Sequence, residues 1–235
     1  KFLLKKTKHL INLMLKDLLI FIRKNLVLKL MKVNVFADTI CGWCFIGHRN
    51  LNTALKKFPK VKFDIKHVPF QLNPDMPAEG ISRDKYLEIK FGGKDYAAPM
   101  YENMRLKANE SGINLNLDKI KKTPNTVLSH LLIILSEQFN LQNKIKEKVY
   151  QSYFIDGLDI GDINVLVDIA KEINIAENTV KDFINEKNIE LVNSKISIAR
   201  EKNISGVPFF EIGEDLISGA QSSIQLENTI KSNLN

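Results

Sequence analysis

The sequence predicts an α/β chain in which a small sheet domain is interrupted by an all-helical insertion, and three observations predict it. Strand and helix patterns run β-α-β, then a long helical block, then helix, hairpin and helix. Three prolines between Pro69 and Gly80, with the Asn73-Pro74-Asp75 step, mark the place where the first pattern gives way to the second. At 235 residues, with 44% hydrophobic and 26% charged side chains, the chain is long enough for one core or for a core joined by a smaller one.

The elements follow in order. Lys32-Val33-Asn34-Val35-Phe36-Ala37 is a short apolar run that reads as a strand and stops at Asp38-Thr39. A helical pattern opens at Cys41 and continues through Phe45, Ile46, Leu51 and Leu55 until Pro59 breaks it. Val61 to Val68 largely alternates apolar with polar, the period of a half-buried strand. From Ser82 to about Asn185 the pattern is helical: Val127, Leu128, Leu131, Leu132 and Leu135 recur at three-to-four spacing, and Val149 to Phe154 and Val165 to Ile173 repeat it. After a helix ending near Lys202, Val207 to Ile212 is strand-like, Gly213-Glu214-Asp215 is a turn, Leu216-Ile217-Ser218 is the return strand, and Ser222 to about Ser232 is a last helix. The expected boundaries are a basic extension over residues 1–31, a sheet domain split between 32–73 and 186–235, and a helical insertion over 74–185.

The formal net charge of +7 is unevenly placed. Residues 1–32 hold nine Lys and Arg against the single Asp17, so everything from Val33 onward is close to neutral. A nucleic-acid binder carries its basic footprint on the folded domain, which disfavours that class. The first thirty residues lack the uncharged apolar run and small-residue cleavage site of an export signal, and their longest apolar run, Leu18 to Ile22, is far short of a membrane span. They read as a basic extension that need not be native, with Met31 favoured as the start of the natural chain over a helix lying on a membrane surface.

Only two cysteines are present, at Cys41 and Cys44. A structural zinc site takes four ligands, and His9, His48, His67 and His130 are not spaced as a paired set, so no metal is expected. Placed between a strand and a helix, the pair puts Cys41 at the helix N-terminus, where unpaired N–H groups and the dipole favour an anion. The thiolate is the reactive form of cysteine. Cys41 is therefore the expected attacking sulfur, and Cys44, one turn on and facing inward, the group that resolves the mixed disulfide. Gly42 leaves the loop unobstructed. Trp43 offers a flat apolar surface beside the nucleophile for substrate, and reads equally well as packing.

In Ser205-Gly206-Val207-Pro208-Phe209 the proline begins a strand. Taken alone, this segment reads first as an ordinary trans proline at a strand edge. A cis Val207–Pro208 bond beside the cysteines would instead turn the Val207 backbone toward them, to pair with an extended substrate chain. His48 is expected to face solvent, His130 to be a satisfied core residue, and Asp38 to serve the loop or the helix cap rather than to take a proton from Cys44.

Four separated blocks resemble the DsbA-like thioredoxin family and, within it, the cytoplasmic FrnE-like branch: Asp38 to Gly47, Pro69 to Pro77, Tyr153-Phe154 with Asp159 to Asp162, and Gly206 to Phe210 followed by Ser218 to Gln221. The resemblance runs from about Met31 to the C-terminus. It implies a thioredoxin fold with an inserted helical domain, Cys41 as nucleophile, Cys44 as resolving cysteine and Pro208 in cis beside them. Two departures stand out. Family members commonly have Pro where this chain has Gly42, and Gly-Trp lacks the His of the strongly oxidising periplasmic members, so a less oxidising pair is expected.

The expected function is thiol–disulfide exchange on protein substrates as reductase, isomerase or oxidase, with protein thiols or glutathione as partners, no cofactor and no transmembrane segment. Cysteine usage points to the cytoplasm. Two other functions compete: a glutathione-dependent isomerase or transferase of the kappa-like kind, for which Cys44 would be dispensable, and a non-catalytic chaperone-like module holding unfolded chains with Trp43, Phe70 and the helical domain. Oligomeric state is left open by the sequence.

Overall fold

The computed structural model describes residues 29–234 together with Lys16. Of the basic extension read over residues 1–31, only Lys16 and the last three positions are therefore described, and the readings made on the remainder lie outside the described residues. The first strand, β1, runs Lys29–Ala37, three residues earlier than its apolar run suggests. Lys29, Leu30 and Met31 pair with Val61, Lys62 and Phe63 of β2 (Val61–Pro69), and Met31 is buried. A strand is set by its partner as well as by its own pattern, and β2 is nine residues long.

Four strands make the main sheet in the order β2-β1-β5-β6, with β5 Phe209–Ile212 and β6 Asp215–Ser218. β1 lies parallel to β2 and antiparallel to β5, whose register sets Val35 opposite Phe210 and Val33 opposite Ile212. Alternation along β1 separates two layers. Val33, Val35 and Ala37 enter the main core with Phe45 and Leu51 of helix α1 (Gly42–Leu55) and Leu226 and Ile230 of the last helix. Phe36 points to the opposite face, where Phe209 meets it edge to face at 6.0 Å and Ala199 and Ile204 cover it. Burying one such large apolar side chain stabilises by roughly 1.5–3 kcal/mol.

Between β2 and β5 lie β3 (Ile81–Ser82), α2 (Arg83–Phe91), α3 (Lys94–Glu110), β4 (Lys122–Thr123), α4 (Val127–Leu135), α5 (Gln142–Phe154), α6 (Ile163–Lys171), α7 (Glu177–Phe183) and α8 (Glu186–Glu201); α9 (Ser223–Ser232) closes the fold. The all-helical expectation for the insertion needs one correction: β3 and β4 form a two-stranded antiparallel ladder. Two residues a side leave no periodicity for a sequence to display. The helix that carries Val127 to Leu135 passes into a tight 3-10 turn over Ser136–Phe139 that ends at Asn140 in the left-handed region.

The insertion packs directly on α1. Phe45 stacks on Tyr150 at 5.1 Å and on Phe154 at 6.1 Å, both from α5, and the main core runs without interruption from β1 through α1 into α5 and α6. At the other end of the sheet, Gly213 takes a positive φ of 59° in a turn one residue tighter than expected, since Asp215 already belongs to β6. A Cβ at Gly213 would overlap the Asn233 side chain, whose amide accepts from Glu214 N–H at 3.0 Å and donates to Asp215 at 2.8 Å.

Candidate active site

The strand-loop-helix junction after β1 places Cys41 as the N-cap of α1, where its Sγ accepts from the Cys44 N–H at 3.2 Å. Both cysteines are free thiols, and only 5% of Cys41 and 1% of Cys44 is exposed. The Val207–Pro208 bond is cis, and the Cys41 thiol donates to the Val207 carbonyl at 3.7 Å. Pro208 is buried against Gly47, where an added Cβ would come within 3.1 Å of its ring. Cys41, Cys44, Val207 and Pro208 thus meet although 163 positions separate Cys44 from Val207. Trp43, between the two cysteines, is half-buried and packs on the main core.

Gly42 has a reason in this chain: an added Cβ would overlap the sulfur of Met104, which α3 carries over the first turn of α1. Asp38 is buried and works as a bracket. Its carboxylate accepts from Leu72 N–H at 2.8 Å, its carbonyl accepts from Cys41 N–H at 3.2 Å, and its second oxygen lies 3.5 Å from His130. His130 itself donates to the Phe70 carbonyl at 3.0 Å, the satisfied core role read from the sequence. His48 departs from its expectation. It is buried rather than facing solvent, beside Glu147 and Asn52. One turn beyond Cys44, α1 is covered by the insertion, and that covering is invisible in local periodicity.

Beneath the cysteines the structure holds a polar cluster that sequence reasoning missed. Lys146 of α5 is 2% exposed, and its Nζ donates to Nδ1 of His67, also buried, at 2.9 Å. The Tyr150 hydroxyl donates to the Asp38 carbonyl at 3.4 Å. Burial pushes the Cys44 thiol well above its usual range; hydrogen bonding and charge at Cys41 add to this, and a backbone bond at Asp38 and then the Lys146 charge oppose it. Burial lowers Lys146 to about 8, the two sulfurs working the other way. His48 and His67 are pushed well down by burial first and then by Lys146, so both are neutral near pH 7. A sequence signal did exist. Lys146 falls on the stripe of Tyr150 and Tyr153, and His67 falls in phase with Phe63 and Ile65.

Residues 32–231 match the DSBA-like thioredoxin domain. The chain belongs to the DsbA-like thioredoxin family. With its free Cys41–Cys44 pair, this family member is an enzyme of disulfide chemistry, a thiol–disulfide oxidoreductase. Over 200 residues it is 23% identical to the uncharacterised protein YwbO of Bacillus subtilis, covering 84% of this chain and 94% of that one. Its fold is similar to a probable DsbA oxidoreductase of Streptomyces coelicolor, with TM-score 0.77, 21% identity, and 87% and 90% of the two chains covered. It is also similar to the cytosolic disulfide reductase DsbM of Pseudomonas aeruginosa, solved with glutathione, at TM-score 0.63 and 12% identity over 86% of this chain and 98% of that one. No helix among the described residues of the DsbA-like chain is long and apolar enough to cross a membrane.

Proposed function

We propose that the protein exchanges disulfides with protein thiols or with glutathione, Cys41 attacking and Cys44 resolving. The observation that carries this reading is the Cys41 Sγ held at a helix N-terminus, 3.2 Å from the Cys44 N–H and 3.7 Å from the Val207 carbonyl. An anion at Sγ is stabilised there by the N–H and by the helix dipole. Cys41 attacks one sulfur of a substrate disulfide and expels the other as a thiolate. Cys44, once deprotonated, attacks the Cys41 sulfur, expels the second substrate thiolate and leaves the Cys41–Cys44 disulfide, so two electrons pass to the substrate.

The Val207 backbone and the flat face of Trp43 are the substrate-binding elements in this reading, with Pro208 shaping the floor beside Cys41. Substrate must be slender where it meets the sulfur, because Cys41 is nearly covered; an extended chain or glutathione fits that access. The chemistry needs no cofactor, and the glutathione-bound neighbour makes glutathione a reasonable thiol partner. We place the enzyme in the cytoplasm, working as reductase or isomerase. Two cysteines and no others support this, as does a neighbour named as a cytosolic reductase.

The test is the reduction potential of the pair in glutathione buffers, with Cys44→Ser alongside. A reversible two-electron couple between about −270 and −120 mV, with Cys44→Ser trapping glutathione or a protein as a mixed disulfide, supports the exchange enzyme. Failure to form the disulfide, with nothing trapped, overturns it.

A further inference from the structure

Lys146 is a buried ammonium with no carboxylate within ion-pair distance among the described residues, and its hydrogen-bond partner is the neutral His67. Isolated buried charges are costly and are retained where something compensates them. The groups that face Lys146 can be taken element by element. Two are in direct reach, His67 of β2 at 2.9 Å and Tyr150 of its own helix with the ring centroid 6.0 Å from Nζ; Cys41, Cys44 and His48, at the start of α1 and along it, act on it through charge. His130 of α4 lines the same small cavity, of about 10 Å³. Each nearby carboxylate has one oxygen bonded away from Lys146 and the other beside a histidine: Asp38 takes the Leu72 N–H and lies 3.5 Å from His130, and Glu147 takes Arg49 and lies 3.4 Å from His48. The anion left for Lys146 is the one that the cysteine pair makes during its reaction.

We propose that Lys146, delivered by the inserted helix α5, is the positioning residue of the resolving step: its ammonium faces the buried Cys44 and stabilises that sulfur as a thiolate when it attacks the mixed disulfide at Cys41. This rests on the reading that Cys41 attacks and Cys44 resolves. The balance is simple. Cys44–SH gives up its proton to solvent or to neutral Lys146, the Cys44 lone pair forms the S–S bond to Cys41, and the bond from Cys41 to the substrate sulfur breaks with its electron pair leaving on the substrate thiolate. Ammonium with thiolate contains the same number of protons as amine with thiol, so the pair reaches its reactive state after losing one proton, and that proton belongs to the pair. Burial first, and then Cys41, push the Cys44 thiol well up; a backbone bond at Asp38 lowers it, and Lys146 is the charged group that lowers it. The geometry adds a positional reason. Lys146 hydrogen-bonds His67 on β2, so the ammonium is anchored to the strand beside β1 rather than free to swing to solvent.

The experiment is a single turnover of the full reduced chain with dithiobis(nitrobenzoate), an aromatic disulfide whose thiol is read by absorbance. The first thiol is released as Cys41 is captured and the second as Cys44 resolves. In the wild type both phases appear, and the rate of the second climbs with pH and levels off above about pH 8. In Lys146→Met the first phase changes by no more than about threefold, the second slows by about tenfold or more near neutral pH, and it keeps climbing by about tenfold for each further unit instead of levelling off. Equal slowing of both phases, or a second phase with the wild-type profile, overturns the proposal. A wild-type second phase that does not level off by about pH 10 overturns it without any variant, which covers a Lys146→Met chain that does not fold. Absence of the first phase in the wild type is a different failure, because it refutes Cys41 attack itself.

Discussion

Replacing Lys146 by Met in the disulfide form should change how stability depends on pH. In the folded chain the ammonium is lowered from its usual 10.5 to about 8, with burial as the first cause. A base whose folded value is depressed binds fewer protons folded than unfolded. Its cost is therefore fully present below about pH 8, is relieved as pH rises from there toward 10.5, and is absent above that. At about 1.4 kcal/mol for each unit, the relief is about 3 kcal/mol. In the disulfide form the sulfur anions that hold the ammonium up are gone, so this is a lower bound. The assay is urea unfolding of the oxidised proteins at a series of pH values across that window. The wild type should gain about 3 kcal/mol relative to the variant between its two ends; working with the difference removes the tyrosines, which titrate in both. The loss of a donor to His67 Nδ1 is a constant offset of about 1–3 kcal/mol against the variant and does not alter the shape. Parallel curves for the two proteins would refute the assignment of Lys146 as a buried charge.

Three further outcomes follow from contacts described above. Gly42→Ala should cost about 1–3 kcal/mol, since its Cβ meets the Met104 sulfur, and Met104→Ala in the same chain should recover part of it; strict additivity in a double-mutant cycle of unfolding free energies would contradict the contact. Asn233→Ala should cost about 1 kcal/mol through the lost bonds to Glu214 and Asp215 while leaving disulfide exchange untouched, and a loss of exchange rate would contradict this. Asp38→Ala should free the Leu72 N–H, so that hydrogen exchange accelerates in the segment from Pro69 to Gly80 ahead of global unfolding; protection equal to the wild type would contradict the bracket.

The legibility of the site in the sequence divides by distance along the chain. Cys41 and Cys44 announce themselves because a strand, a turn and a helix start within ten residues fix their geometry locally. Val207 and Pro208 could be proposed from a proline at a strand start, but their place beside Cys41 depended on the resemblance. His48 was misjudged because the face it occupies is covered by α5, and coverage by a distant helix leaves no mark on the pattern of α1. Lys146 was passed over because lysine on an apolar stripe is ordinarily a snorkelling side chain. Its meaning needed His67 in view, 79 positions away. In the fold, the long periodic elements were legible, whereas the first three residues of β1 and the two-residue ladder of β3 and β4 were not, since both are set by partners rather than by their own composition.

The unbroken core joining β1, α1 and α5 has a consequence for anyone who would shorten this chain. A minimal redox module made by excising the helices and splicing β2 to α8 would keep the motif and the proline. It would also strip Phe45 of its aromatic neighbours, uncover Gly42 and His48, and leave a greasy wound on the one helix that carries both sulfurs. The helices are thus structural support for the sulfur-bearing helix, and shortening the chain there would remove part of the core it rests on.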